Sequence, residues 1–258
     1  MSSILFEVQE DGIGVLTMNR PEARNALTWE AMESFSIAVD GAHAVERELR
    51  ALVVTGAEGA FCAGGDLFEL DGYPTRLDGA RLGAIMGGAL VRLEALPIPT
   101  LAAMEGPALG GGAEVALACD VRVMAEGATL GMMHVRLGIC PAWGGGQRLL
   151  RLVGYSRALE WMAAGQVFTA DEALAYGLAN RVAPEGGAFD QSMELAAAFA
   201  RQDSQAVRAI KRLARAGVEL SPEEATAAER SEFPDLWAAP AHLEASALFV
   251  ARKNHRPA

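Results

Sequence analysis

Cysteine is scarce in this chain: Cys62, Cys119 and Cys140 are the only three in 258 residues. Their odd number excludes a fully paired disulfide framework, and their separation lacks the close spacing of a zinc site. Reduced, small buried thiols are expected, with no catalytic nucleophile among them. Basic residues are also outnumbered, 22 Lys and Arg against 33 Asp and Glu, for a formal net charge of −11. Broad nucleic-acid binding needs the opposite balance, because phosphates are neutralised by cationic surface. No uninterrupted apolar run reaches membrane-spanning length, and Met1-Ser2-Ser3 leads into a strand-like pattern without a basic-then-apolar leader. A cytoplasmic protein without membrane or nucleic-acid partners is therefore expected.

Glycine, by contrast, is abundant and clustered. Ala108-Leu-Gly110-Gly111-Gly112-Ala113-Glu114 joins bare backbone to a carboxylate at the point where a helix could begin. Consecutive glycines let a ligand approach the main chain closely, and the first amides of a helix have no internal acceptor. A second glycine pair, in Ala60-Phe-Cys-Ala63-Gly64-Gly65-Asp66-Leu67, follows the apolar run Leu52-Val53-Val54-Thr55. Two such loops can supply two N–H groups to one carbonyl oxygen, the arrangement that stabilises an enolate or a tetrahedral oxyanion. Neither glycine run forms a dinucleotide fingerprint or a P-loop, which disfavours NAD and ATP.

The pattern along the chain predicts a hairpin over residues 4–18 around Asp11-Gly12, a helix around 28–47 and a strand at 52–55. Helical character at 79–95, a strand at 100–104, a helix at 112–119 and a strand at 121–124 follow. After Gly144 helices dominate. Thr169-Ala-Asp-Glu172 and Ser221-Pro-Glu-Glu224 each supply an N-cap with Glu three residues later, and Pro222 suits a first helical position. Helices are expected near 189–201, 205–216, 222–233 and 241–252, with no fixed-length repeat or disordered linker.

The two glycine loops, with Leu137-Gly138-Ile-Cys-Pro141 and Gly144-Gly-Gly-Gln147-Arg148-Leu149, resemble the crotonase (enoyl-CoA hydratase/isomerase) superfamily. The resemblance begins at Asn19-Arg-Pro-Glu-Ala-Arg-Asn25-Ala-Leu27 and continues through Ala173-Leu-Ala-Tyr-Gly177-Leu-Ala-Asn-Arg-Val182. It implies an α/β fold: a crotonase-like spiral of repeated ββα turns over residues 1–190, then a C-terminal helical oligomerisation region over 191–258. It also implies a homotrimer or a dimer of trimers. Phe233, Trp237, Leu248 and Phe249 suit a subunit interface or burial within the chain equally well.

Carried over residue by residue, the resemblance makes the Gly65 and Gly111 amides the oxyanion hole for a thioester carbonyl, with Ala63 and Leu67 along the CoA-binding loop. Asp66 is expected to stabilise its loop. Coenzyme A enters only as part of the substrate, and no metal or redox cofactor is expected. Arg20, Arg24 and the terminal group Arg252-Lys253-Asn-His255-Arg256 are candidate phosphate contacts, though each also suits solvated surface charge. Glu114 matches a catalytic carboxylate able to orient water or move a proton.

The chain departs from the hydratase pattern at two places. In Met132-Met133-His134-Val135-Arg136-Leu137-Gly138, within a strand-like segment, His134 stands where a hydratase has its second catalytic Glu. An imidazole can share acid and base work with Glu114, or be held as a buried structural group. In Pro141-Ala142-Trp143-Gly144, a methyl and an indole replace a more glycine-rich segment beside the expected acyl pocket. Trp143 can limit an acyl group or simply pack into the core.

The expected activity is hydration of a 2-enoyl-CoA through an oxyanion-stabilised enolate. Isomerisation, decarboxylation and C–C hydrolysis on the same framework are the alternatives, together with a silent CoA-binding scaffold.

Overall fold

A computed structural model describes the backbone of residues 2–254 and side chains through residue 251. The chain divides into two compact units, Met1–Ala200 and Arg201–Ala258. The basic group at 252–256, a candidate for phosphate contacts, lies outside the described side chains.

The first unit opens with a hairpin of β1 (Ile4–Val8) and β2 (Ile13–Met18), antiparallel in the register Ile4 to Met18. Asp11 Oδ1 accepts the Ile13 amide at 3.1 Å and Gly12 takes a φ of +80°, so the Asp-Gly pair makes the turn. Helix α1 (Trp29–Ala44), capped by Thr28, leads to β3 (Ala51–Gly56), parallel to β2. Then come α2 (Leu67–Leu70) and α3 (Arg76–Ala95). The sequence pattern puts the start of α3 at 79, but Thr75 and Asp78 form a capping box that starts it earlier.

From Thr100 the chain winds through two spiral turns, each laying one strand in a large sheet and the next in a small one. Strand β4 (Thr100–Met104) joins the large sheet, β5 (Ala108–Leu109) the small one, and α4 (Gly111–Ala118) completes the turn. A second turn gives β6 (Val121–Ala125) to the large sheet and β7 (Thr129–Gly131) to the small one. A 3-10 turn over His134–Leu137 comes next, then α5 (Gly145–Val153) and α6 (Tyr155–Ala164).

Strand β8 (Val167–Thr169) then pairs antiparallel with β7, followed by α7 (Ala170–Ala175), β9 (Arg181–Ala183) and α8 (Ala188–Ala200). The large sheet runs β1-β2-β3-β4-β6-β9 and the small one β5-β7-β8. On one face of the large sheet, Leu16, Leu52, Val54, Ala102 and Met124 join the main core with Phe35 of α1 and Leu90 of α3. On the other, Ile13, Val53, Leu101 and Ala103 pack with Ala196 of α8. Alternation along β3 thus sends Val53 to one layer and Leu52 and Val54 to the other.

The second unit consists of α9 (Ser204–Glu219), α10 (Pro222–Trp237) and α11 (Pro240–Asn254). Ser221 and Glu224 form a capping box with Pro222 in the first turn, as the sequence pattern requires. A bidentate pair, Arg212 Nε and Nη2 to the Glu232 carboxylate at 2.6 and 2.7 Å, joins α9 to α10 and pushes the Glu232 carboxyl below its usual range. Phe233, Trp237, Leu248 and Phe249 are 58–71% exposed. Among the described residues no helix is long and apolar enough to cross a membrane.

Candidate active site

The site begins where two glycine loops meet. The 60–66 loop follows β3 and ends at Asp66, whose side chain caps α2 by accepting the Phe68 amide. The 108–112 loop runs from β5 into α4. Backbone bonds lace them together: Cys62 N to Pro107 O at 3.1 Å and Leu109 N to Cys62 O at 3.0 Å. Gly64 has a φ of +93°, and a Cβ there would lie 3.0 Å from the Gly111 nitrogen and 2.9 Å from Leu109 O. Only a bare α-carbon lets the loops come so close. Among the described residues neither the Gly65 amide nor the Gly111 amide donates to a protein acceptor. The Gly111 amide is free because it opens α4, where N–H groups have no intrahelical partner.

One turn into α4 stands Glu114, only 1% exposed. Its carboxylate is gripped from both sides. Oε2 accepts the amides of Trp143 at 2.9 Å and Gly145 at 2.7 Å, at the start of α5. Oε1 accepts the Ala142 amide at a longer 3.4 Å and faces His134 Nε2 at 3.0 Å. A buried carboxylate at a helix N-terminus, satisfied by backbone donors, is a favourable pairing. It depends on Gly145, since a Cβ there would meet Glu114 Cγ at 2.5 Å.

His134 lies not on a strand but at the start of the 3-10 turn. Met133 leaves the extended region, with φ −86° and ψ 9°, and Gly138 ends the turn in the left-handed region at φ +73°. This reversal carries the imidazole back to Glu114. The ring is buried, and its Nδ1 has no hydrogen-bond partner among the described residues. A proton on Nδ1 would be a buried donor without an acceptor, so the bond to Glu114 favours the tautomer protonated at Nε2.

Eight of the residues singled out from the sequence line one cavity of about 500 Å³: Arg24, Ala63, Gly65, Leu67, Gly111, Glu114, His134 and Trp143. Trp29, Leu70, Tyr73 and Leu82 add apolar wall from α1 to α3. Arg20 is not in the lining. Its Nη1 instead binds Asp66 at 2.9 Å and the Ala26 carbonyl at 2.6 Å, which makes Asp66 a loop anchor as expected. Among the described residues no group of three His, Cys, Asp or Glu comes together to hold a metal ion.

Several residues that build this site were not singled out from the sequence. Arg148, 4% exposed, donates from Nη1 to the Trp143 carbonyl at 2.9 Å and from Nε and Nη2 to Glu94 of α3. It thereby fixes the peptide whose amides hold Glu114. At the far end of α4, the buried guanidinium of Arg122 donates to the carbonyls of Cys119 at 2.7 Å and Leu178 at 2.5 Å. Burial lowers its pKa from the ordinary arginine value. Gly145 and Arg148 lie in a motif visible in the sequence, but nothing local signals partners 31 and 54 positions away.

Cys62 and Cys119 are buried and free, while Cys140 is exposed and lines the cavity. Burial pushes the Cys62 thiol up to about 12, only partly offset by the Gly64 amide.

Residues 8–254 match the enoyl-CoA hydratase/isomerase family. The chain is 36% identical over 248 residues to an ethylmalonyl-CoA decarboxylase of Danio rerio, covering 94% of this chain and 82% of that protein. It is 33% identical over 255 residues to a short-chain-enoyl-CoA hydratase of Clostridium acetobutylicum, covering 98% and 97%. The crystal structure of an enoyl-CoA hydratase from Bacillus anthracis superposes with a TM-score of 0.90 at 30% identity, over 97% of this chain and 96% of that one.

Proposed function

We propose, from the premise that this chain belongs to the enoyl-CoA hydratase/isomerase family, that it decarboxylates a 2-carboxyacyl-CoA through an enolate. Acyl-CoA chemistry is common ground for the family. The choice of reaction rests on one observation: both oxygens of Glu114 already accept hydrogen bonds from Trp143, Gly145, Ala142 and the His134 ring. To orient and deprotonate water, the carboxylate needs an acceptor site to spare. Loss of carbon dioxide needs no activated water.

In this mechanism the thioester oxygen accepts the Gly65 and Gly111 amides. The bond from C2 to the carboxylate breaks, its electron pair moves toward that oxygen, and carbon dioxide leaves. The two amides stabilise the enolate as charge develops. The apolar wall favours the dispersed charge of the transition state over the localised carboxylate. One proton taken up from solvent then reaches C2 by way of the Glu114–His134 pair, which returns to its starting protonation state, and this closes the balance. No metal or redox cofactor takes part, and coenzyme A is carried by the substrate. The similarity to ethylmalonyl-CoA decarboxylases supports the same choice.

Hydration of a 2-enoyl-CoA is the second reading, favoured by similarity to a hydratase along 97% of that protein's length. There Glu114 would exchange a present partner for water, and His134 would supply the second proton function. A homotrimer or dimer of trimers is proposed on the family resemblance.

The deciding experiment incubates purified protein in deuterium oxide with ethylmalonyl-CoA and, separately, crotonyl-CoA, followed by mass spectrometry. Butyryl-CoA bearing one deuterium at C2, with crotonyl-CoA unchanged, is expected. Addition of water to crotonyl-CoA without carbon dioxide loss from the first substrate would overturn the proposal in favour of hydration.

A further inference from the structure

The geometry points to Trp143 as the residue that sets acyl-chain length, restricting this site to short acyl groups; this rests on the acyl-CoA reading above. Four contacts fix Trp143. Its amide donates to Glu114 at 2.9 Å and its carbonyl accepts from Arg148 at 2.9 Å. Its α-carbon packs on α3, where a Cβ at Gly87 would lie 3.7 Å away. The benzene edge of the indole rests on Gly111, so that a Cβ there would fall on Cζ3 and Cη2. The side chain lines the cavity yet is part of a residue only 4% exposed, so it is a wall and not a mobile flap.

This placement bears on substrate because Trp143 touches both ends of the chemistry. Its ring covers the α-carbon of Gly111, whose amide is assigned to the thioester oxygen, and its backbone holds the carboxylate assigned to proton transfer. An acyl chain leaving that carbonyl and passing Glu114 therefore meets the indole within its first few carbons. The Arg148 bond, anchored in turn on Glu94, keeps the wall from swinging aside. Burying each further methylene would normally tighten binding about fourfold, and the indole ends that gain early.

The test measures dissociation constants of free CoA and of saturated acyl-CoAs from acetyl to decanoyl for wild type, Trp143→Phe and Trp143→Ala. Wild type is expected to stop gaining affinity after the shortest chains. Trp143→Ala should go on gaining about fourfold per methylene over several more carbons, with Trp143→Phe between them. Wild-type far-UV circular dichroism and an unchanged Tm show that the variants remain folded, and Trp143→Phe, which keeps a ring on Gly111, carries the test if the alanine variant does not. Parallel chain-length profiles in all three proteins would overturn the inference and leave the acyl-CoA reading standing. Failure of wild type to bind any acyl-CoA would overturn both.

Discussion

Glu114 has little freedom to be anything but a carboxylate. A Gln there keeps one acceptor oxygen, which the Trp143 and Gly145 amides claim, so its NH₂ must turn toward His134. The imidazole then has to accept at Nε2 and carry its proton on Nδ1, a buried atom without a partner among the described residues. In Glu114→Gln, imidazole nitrogen NMR should show His134 switching from the Nε2–H to the Nδ1–H form, with turnover falling at least about a hundredfold. An unchanged tautomer would contradict the assignment of the bond. The sequence made Glu114 and His134 visible as an odd couple, through a resemblance in which a second Glu is the norm. It did not show that they touch, because contact depends on the 3-10 turn, and Met132-Met133-His134 carries no strong turn signal before Gly138.

At the scale of elements, α4 is a short helix with a cavity-lining glycine at one end and a buried cation at the other. Arg122 takes up carbonyls at its C-terminal end, where a positive charge also suits the helix dipole. Replacing it by Met removes the donors and leaves those carbonyls buried, a loss of about 3 kcal/mol. Scanning calorimetry of Arg122→Met should show Tm lowered by about 6–12 °C; a fall under about 2 °C would mean that water replaces the guanidinium. Most elements were legible where local chemistry was strong: the Asp11-Gly12 turn, the apolar β3 and β4, and the capping boxes at Thr169 and Ser221. The small sheet was not. Strands β5, β7 and β8 have two or three residues each, too few for alternation to register, and exist because successive turns of the spiral stack them.

For the whole molecule, alkaline stability depends on Cys62. Its folded value of about 12 lies above the usual 9.0, so the uncharged thiol is favoured by folding. The associated stability is fully present below pH 9.0 and is lost as pH rises from there toward about 12. Chemical denaturation of wild type across that range should therefore decline more steeply than that of Cys62→Ala. Equal slopes would show that the thiol is not shielded. Alkylation of the native protein by iodoacetamide should mark Cys140, which is exposed, and spare Cys62 and Cys119; saturating butyryl-CoA should slow the reaction at Cys140, since that residue lines the cavity.

The same thiol has a consequence for self-preservation. Conjugated enoyl thioesters are electrophiles at their β-carbon, and thiolates add to them without assistance. Cys62 stands two residues from the glycine whose bare α-carbon lets the loops meet. With a value of about 12, it is ionised in only about one molecule in 10⁵ at pH 7. Burial thus spares Cys62 from such addition, whereas the exposed Cys140 has no such shield.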